Sequence, residues 1–232
     1  MLISVHMPKA GGTTFLSLFE SIYGDSLLRD YDDKILSKST FFQRKNSLIS
    51  MSKNRCKISD YAKFNCIHGH FMPLKYRFFD SRDAFFLTWL RHPVQRLMSH
   101  YHYWSREPLN EEAGMLRRRF VKERWSLRRF CLAEELRDIY SRILWGFPLK
   151  RFDFVGITEF FQEDVAFFTK QMFGRVLEVN ASNLNPDQKE NMYSVDKILQ
   201  REIEHFHKRD MAIYREALRL RNSREKTLLD WS

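Results

Sequence analysis

The amino terminus carries the feature that most constrains the fold of this chain, a buried strand that runs through a glycine turn into a helix. Residues 2–7 are apolar and partly β-branched, as expected of a strand buried on both faces. A turn at residues 8–12 breaks this pattern, and apolar residues at helical spacing follow from Thr13. Because strands that alternate with helices pair with parallel neighbours, the unit predicts an α/β fold.

Similar units recur along the chain. Further strands are predicted over residues 64–70, 84–90, 153–157 and 176–179. Thr158 is predicted to cap a helix over residues 159–172, and residues 195–222 carry a long amphipathic pattern. These elements predict a mostly parallel sheet with helices on both faces, which binds ligands at the carboxyl ends of its strands. We expect a single domain over residues 1–232 with a helical basic insert at residues 105–150.

The balance of charged residues limits the kinds of partner. The 232 residues contain 39 Lys and Arg against 29 Asp and Glu, and the net charge of +10 indicates an anionic partner. No apolar run approaches the roughly 20 residues of a membrane span, and no signal peptide is recognisable. The three cysteines, Cys56, Cys66 and Cys131, are odd in number and far apart, which favours a reducing compartment. We therefore expect a cytoplasmic protein, with a luminal domain cut from a longer chain as the alternative.

The turn after the first strand has the composition of an oxyanion cradle. It consists of Pro8, Lys9, Ala10, Gly11, Gly12, Thr13 and Thr14. The two glycines allow backbone N–H groups to close on an anion, the helix amino terminus adds partial positive charge, and Lys9 with the threonine hydroxyls completes the cradle. Because the lysine precedes the glycines, the loop is not a Walker A motif. The sequence therefore predicts a P-loop-like parallel β-sheet, with an ordinary glycine turn as the alternative interpretation of this segment.

A second candidate anion site follows the most apolar predicted strand. Residues 91–101 read RHPVQRLMSHY, with Arg91 at the end of the strand and Pro93 in the first turn of a new helix. The guanidinium fork of Arg91 can bind a phosphate through two hydrogen bonds. A surface salt bridge is the alternative for this residue taken alone.

Together the two segments resemble the cofactor signatures of sulfotransferases that use 3′-phosphoadenosine 5′-phosphosulfate (PAPS). The resemblance is strongest to the carbohydrate branch that contains the heparan sulfate and uronyl 2-O-sulfotransferases. It implies that the loop PKAGGTT binds the 5′-phosphosulfate and that Arg91 and Ser99 bind the 3′-phosphate. It also implies an enzyme that transfers a sulfuryl group from PAPS to a hydroxyl group of a carbohydrate or glycan, with 3′-phosphoadenosine 5′-phosphate (PAP) as product and no metal. His92 stands where the family frequently has Asp or Asn.

Two histidines near the end of the second predicted strand suggest a base for the acceptor hydroxyl. His68 and His70 are separated by one residue, so their side chains point to the same face of a strand. A neutral histidine with a pKa near 6.5 suits proton removal from an alcohol. The 2-O-sulfotransferase branch has a similar His-x-His element near its acceptor site. We assign His70 as the catalytic base, His68 as a helper that positions the acceptor, and Lys9 as the cation that neutralises charge on the leaving group. Structural histidines and a zinc-binding pair are the alternatives.

Seven basic residues crowd into residues 117–129, which we call the arginine-rich segment: Arg117, Arg118, Arg119, Lys122, Arg124, Arg128 and Arg129. The aromatic residues Phe120, Trp125 and Phe130 are interleaved with them or follow directly. One interpretation is a rim that attracts an acidic glycan or nucleic acid, within a region that recognises the acceptor. The other is an amphipathic helix whose aromatic rings pack on the core while its arginines face water. A loop over the nucleotide is predicted at residues 180–186.

Two other functions stay open on the sequence alone. A kinase-like phosphotransferase would bind ATP in the loop, but the Walker lysine and a pattern of Mg²⁺-binding aspartates are missing. A nucleic-acid-binding protein would use the arginine-rich segment, but this function leaves both anion motifs without a role. We therefore expect a nucleotide sulfate donor and a hydroxylated acceptor as partners, rather than a nucleic acid.

Overall fold

A parallel β-sheet forms the centre of the protein. The computed structural model describes residues 1–33, 35–36, 39–79, 84–111, 113–177, 179 and 193–229, without the side chains of Thr13 and residues 225–229. Within these ranges the strands are β1 (Leu2–Val5), β2 (Leu27–Arg29), β3 (Cys66–Gly69), β4 (Phe85–Leu90) and β5 (Phe154–Ile157). They form a sheet in the order β2-β3-β1-β4-β5, and every neighbouring pair is parallel. The predicted α/β fold with a P-loop-like parallel sheet is confirmed.

Helices cover both faces of the sheet. In the described ranges they are α1 (Gly12–Tyr23), α2 (Thr40–Cys56), α3 (Pro93–Arg106), α4 (Met115–Lys122), α5 (Leu127–Cys131), α6 (Ile139–Ile143), α7 (Phe161–Phe173), α8 (Lys197–Phe206) and α9 (Lys208–Leu229). On one face Phe15 of α1 packs against Trp89 of β4 and Phe168 of α7. On the other face Phe147 packs against Phe86 of β4. Because both faces are buried, the strands are continuous apolar runs rather than alternating ones. None of the described helices combines the length and the hydropathy that a membrane-spanning segment needs.

A second apolar cluster lies beneath the arginine-rich segment. Phe120, Trp125 and Phe130 are buried there together with Leu97 and Trp104 of α3. The ring of Trp104 contacts those of Phe120 and Phe130, at centroid distances of 5.6 and 5.5 Å. The aromatic residues of the segment thus pack inward, as the amphipathic interpretation predicts. The insert at residues 105–150 contains short helices rather than one long one.

Several local predictions were wrong. The polar stretch at residues 24–63 contains the edge strand β2, which the sequence did not reveal because its three residues are too few for a periodic pattern. Residues 176, 177 and 179 form no strand. Thr158 caps no helix: its hydroxyl donates to the carbonyl oxygen of Leu90 at 3.1 Å, and α7 begins three residues later. Residues 180–186 lie outside the described residues.

The long amphipathic pattern at residues 195–222 is divided into α8 and α9 at His207. This side chain is fully buried and joins three parts of the chain. Its Nε2 donates to the carbonyl oxygen of Cys131 at 2.7 Å, and its Nδ1 accepts the N–H of Asp138 at 3.2 Å. The break therefore follows from tertiary contacts, which the periodicity of the sequence does not contain.

Candidate functional site

The loop between β1 and α1 is a tight turn that leads into an uncapped helix. The N–H of Ala10 donates to the carbonyl oxygen of Met7 at 3.2 Å and closes the turn. Gly11 adopts a left-handed φ of 86°, and no side chain caps α1 at this residue. The amino end of α1 therefore carries the partial positive charge that attracts oxyanions.

Gly12 permits close packing beneath this turn. Its Cα lies against the imidazole ring of His6, and a Cβ at this position would overlap that ring. Ala10 and Thr14 are also buried, at 1% and 3% exposure. Of the seven predicted cradle residues, Pro8, Lys9 and Gly11 thus lie nearer the surface, and the side chain of Thr13 lies outside the described part.

Lys9 has a backbone conformation that usually belongs to glycine. Its φ is 64°, and it occupies the third position of the turn after Pro8. The left-handed conformation costs a residue with a side chain about 1 kcal/mol. Because glycine would avoid this cost, the strain indicates a role for the lysine side chain.

Other cations lie close to the ammonium group of Lys9. The Nζ atom lies 3.8 Å from the ring centre of Tyr103, and the guanidinium of Arg117 lies 5.9 Å from the centre of the same ring. Burial, followed by the positive charges of Arg91 and Arg106, lowers the pKa of Lys9 from 10.5 to about 8. Like charges in a partly buried place repel one another, so this arrangement favours the binding of an anion.

Arg91 lies directly after β4, at the same carboxyl edge of the sheet as Lys9. The hydroxyl of Tyr140 donates to the carbonyl oxygen of Arg91 at 2.8 Å and accepts its N–H at 3.1 Å. The guanidinium lies 5.7 Å from the ring centre of Tyr193, whose backbone is held by Gln95 through hydrogen bonds of 2.7 and 3.0 Å. The sequence did not single out Tyr140, Gln95 or Tyr193, because only tertiary contacts connect them to the site.

Ser99 lies in the second turn of α3 and is partly buried. It precedes Tyr103 by four residues, so the two side chains share the face of α3 that meets Lys9. The start of α3 is fixed by Glu159, whose carboxylate accepts the N–H of His92 at 2.8 Å. The structure therefore brings Ser99 to the loop side of α3.

His68 and His70 share one face of the sheet with a third histidine, His6. The ring of His6 stacks on that of His70 at a centroid distance of 4.0 Å and on that of His68 at 5.3 Å. The register of β1 and β3 pairs Ser4 with His68, and this register brings His6 beside His70. The sequence did not point to His6, because strand register is decided by tertiary packing.

The two histidines of the predicted pair have different surroundings. His68 is 1% exposed, and its Nδ1 lies 2.9 Å from the hydroxyl of Ser4. His70 is partly exposed at the carboxyl edge, and its Nδ1 lies 2.7 Å from the carbonyl oxygen of His6. A carbonyl can only accept a hydrogen bond, so Nδ1 of neutral His70 carries the proton and Nε2 has the free lone pair.

The charge state of these rings follows from their burial. Burial lowers the pKa of His70, so the ring is neutral near pH 7. Burial, followed by the nearby His70, lowers the pKa of His68 to about 3. In the described ranges no group of three or more His, Cys, Asp or Glu residues is arranged to hold a metal ion. The arrangement therefore supplies neutral imidazoles beside a cationic loop.

Some arginines of the arginine-rich segment have acidic partners. The ion pairs are Arg119 with Glu135, Arg128 with Glu202, and Arg129 with Glu123. Arg117, at the start of the segment, instead donates to the carbonyl oxygen of Glu107 at 2.9 Å and contacts Tyr103. One end of the segment therefore approaches the ring that lies under Lys9.

Solved structures include one with a similar chain, a sulfotransferase from Alicyclobacillus acidocaldarius. The two chains are 15% identical, the TM-score is 0.43, and the match covers 91% of this chain and 92% of that chain. No protein-family model matches this chain, and no curated protein gives a significant match.

Proposed function

We propose that this protein is a PAPS-dependent O-sulfotransferase that sulfates a hydroxyl group of a carbohydrate or glycan. The observation that carries the proposal is a juxtaposition at the ends of neighbouring strands. Lys9 follows β1 and Arg91 follows β4, while His70, a neutral base with a free Nε2, follows β3. We call this part of the molecule, residues 6–14, 68–70 and 91–99, the donor edge.

The donor edge fits a ligand with anionic groups at two positions. The loop residues Pro8 to Thr14 would hold the 5′-phosphosulfate, because α1 begins there without a side-chain cap and Lys9 lies among other cations. Arg91 and Ser99 would hold the 3′-phosphate, since a guanidinium fork suits a phosphate group. The donor supplies an activated sulfuryl group attached to a phosphate leaving group.

The residues at the donor edge then have separate tasks. Nε2 of His70 accepts the proton of the acceptor hydroxyl while the acceptor oxygen forms its bond to sulfur. The bond from sulfur to the bridging phosphate oxygen breaks, and its electron pair goes to the phosphate. Lys9 and the N–H groups of α1 stabilise the negative charge that develops there. His68 acts indirectly, because it is buried and holds the stack of imidazoles in place through Ser4.

The acceptor class and the compartment complete the proposal. A carbohydrate acceptor follows from the resemblance of the two signatures. The free thiols of Cys56, Cys66 and Cys131 support a cytoplasmic location. We treat the chain as one domain in which the insert at residues 105–150 recognises the acceptor, with Arg117 at the end that approaches the donor edge.

Thermal stability in the presence of candidate ligands tests the donor. PAP should raise the melting temperature of the wild-type protein, whereas ATP with Mg²⁺ and oligonucleotides should not. The variant Lys9→Met should lose the response, and Lys122→Met, which removes an exposed lysine of the arginine-rich segment, should keep it. A response to ATP with Mg²⁺ alone would favour a phosphotransferase, and a response to oligonucleotides alone would favour a nucleic-acid-binding protein.

The acceptor is tested by transfer of labelled sulfate to a library of hydroxylated compounds, followed by mass spectrometry of the product. Sulfate on a sugar hydroxyl is the expected result. A product sulfated only on a non-carbohydrate alcohol would contradict the acceptor class but leave the donor assignment intact.

A further inference from the structure

A cationic cavity lies outside the donor edge and has no part in the proposed function. Its volume is about 360 Å³, which is in the lower part of the range of small-molecule pockets. Residues of α2, α6 and the start of α9 form its walls, and none of Lys9, Arg91 or His70 lines it.

The lining of this cationic cavity has an excess of positive charge. Its basic side chains are Arg44, Arg137, Arg142, Lys208 and Arg209. Glu134 and Asp138 are the acids of the lining, so five positive charges against two negative ones leave a net of three. Such an excess attracts anions and is unfavourable without them.

Both acids already have partners. Glu134 accepts hydrogen bonds of 3.1 and 3.3 Å from Arg137. Oδ1 of Asp138 accepts the N–H groups of Arg209 and Asp210, each at 3.2 Å, at the start of α9. Among the described residues no ion pair joins a carboxylate to the side chains of Arg44, Lys208 or Arg209. The guanidinium of Arg44 lies over the ring of Trp145, 5.0 Å from its centre.

Two guanidinium groups in the cavity wall have buried donors without acceptors. Arg142 donates to the carbonyl oxygens of Glu135 at 2.7 Å and Ile35 at 2.9 Å, and both of these acceptors are neutral groups. The Nε atoms of Arg142 and Arg44 are buried, and neither has a hydrogen-bond partner in the described part of the chain. A buried guanidinium with an unsatisfied donor is stabilised by a nearby negative charge, which an oxyanion in the cavity would supply.

We propose that the cationic cavity binds a small hydrophilic molecule that carries a phosphate or sulfate ester, of the size of a sugar monophosphate or sugar monosulfate. The basic side chains would bind the tetrahedral oxyanion. The hydroxyls of Thr40 and Ser141, which also line the cavity, would bind the polar remainder of the ligand. No apolar side chain lines the cavity in the described ranges, which argues against a lipid or an aromatic base as the occupant.

Calorimetric titration of the full chain at low salt tests the proposal. The ligands are glucose 6-phosphate, glucose 6-sulfate and inorganic sulfate, so that an ester can be distinguished from a free oxyanion. The double variant Lys208→Gln/Arg209→Gln removes two exposed cations of the cavity. The matched control Lys170→Gln/Arg175→Gln removes two exposed cations, one in the last turn of α7 and one just after this helix. The variant Lys9→Met reports on binding at the donor edge.

At least one of the two sugar esters should bind to the wild-type protein with a stoichiometry of one. The same ester should bind with equal affinity to Lys170→Gln/Arg175→Gln and to Lys9→Met. Loss of charge-assisted hydrogen bonds should weaken its binding to Lys208→Gln/Arg209→Gln by roughly tenfold or more. Equal affinity of the two double variants, loss of binding in Lys9→Met, or no binding at all would overturn the proposal. If inorganic sulfate binds as tightly as both esters, the proposal that the ligand has the size of a sugar is overturned. Because the donor edge is tested with PAP and Lys9→Met, either proposal can fail without the other.

Discussion

The donor edge and the arginine-rich segment are both basic, but they differ in how their charge is balanced. In the arginine-rich segment, two hydrogen bonds of 2.9 and 3.0 Å join Arg128 to Glu202. These hydrogen bonds raise the pKa of Arg128 and lower that of Glu202, as expected of a matched pair. At the donor edge, burial and neighbouring cations lower the pKa of Lys9 to about 8.

The number of basic residues in a region therefore says little about its function. The arginine-rich segment has the higher density of positive charge, yet carboxylates from α8 and from the segment after α5 neutralise part of it. Exposed pairs of this kind are common on protein surfaces and stabilise little. At the donor edge the cations are fewer but lie close to one another. An anionic ligand is therefore stabilised more by binding there than by binding at the arginine-rich segment.

The largest expected effect concerns the base at the donor edge. His70→Ala removes the free Nε2, so the rate of sulfuryl transfer should fall by roughly 10²–10⁴-fold. The exposed His205 provides the control, and His205→Ala should leave the rate unchanged. Initial rates with labelled PAPS measure both variants, and an unchanged rate in His70→Ala would exclude this residue as the base.

The second prediction compares two basic residues with left-handed backbones, one in each region. Lys9 has a φ of 64° and Arg124 a φ of 47°. Glycine relieves this strain, so Lys9→Gly and Arg124→Gly should each raise the free energy of unfolding by about 1 kcal/mol. Only Lys9→Gly should reduce transfer, by roughly 10²–10³-fold, because it also removes a charge that stabilises the leaving group. Denaturant unfolding and transfer rates of the same samples measure both effects. Equal losses of activity in the two variants would contradict the claim that only Lys9 acts in transfer.

The third prediction concerns stability at acid pH. Burial lowers the pKa of seven histidines. The pKa of His68 at the donor edge falls to about 3, and that of His207 falls to about 4. Because the unfolded chain binds protons more readily than the folded one below pH 6.5, the free energy of unfolding should fall as pH falls from 6.5 to 4. His207 alone should account for about 3 kcal/mol of this loss. Burial raises the pKa of Asp210 to about 6, which offsets part of the effect between pH 6 and 4.

Denaturant unfolding at a series of pH values measures this loss. His68→Asn replaces a titrating ring by an amide that can keep a hydrogen bond to Ser4, so the dependence on pH should become shallower. His205→Asn, at an exposed position, should leave it unchanged. The same pH dependence in His68→Asn and the wild-type protein would contradict a neutral, buried His68.

The smallest expected effect is the uptake of a fraction of a proton when PAP binds. An anion bound at the loop should return the pKa of Lys9 from about 8 towards 10.5, so that PAP binding at pH 8.5 takes up roughly 0.7 proton. Calorimetric titration with PAP in two buffers of different ionisation enthalpy measures this uptake. Lys9→Arg should bind PAP without it, because arginine stays protonated at this pH. Equal uptake by Lys9→Arg would assign the proton to another group.

Much of the fold could be predicted from local patterns. The strands at residues 2–5, 66–69, 85–90 and 154–157, the glycine turn and the helix that starts at Pro93 each depend on a few consecutive residues, and all of these are present. The edge strand β2 and the break at His207 could not be predicted. The first is too short for a pattern, and the second depends on contacts with Cys131 and Asp138 that lie far away in the sequence.

Local patterns in the sequence predict the strands, the loop with Lys9 and the position of Arg91 at a strand end, because backbone conformation depends mainly on neighbours in the chain. Tertiary packing places His6 on His70, since this contact depends on the register of β1 and β3. It also decided which cations are neutralised: Arg128 and Glu202 are 74 positions apart, yet they form an ion pair. Charge balance depends on distance in space, and the order of residues along a chain does not specify that distance.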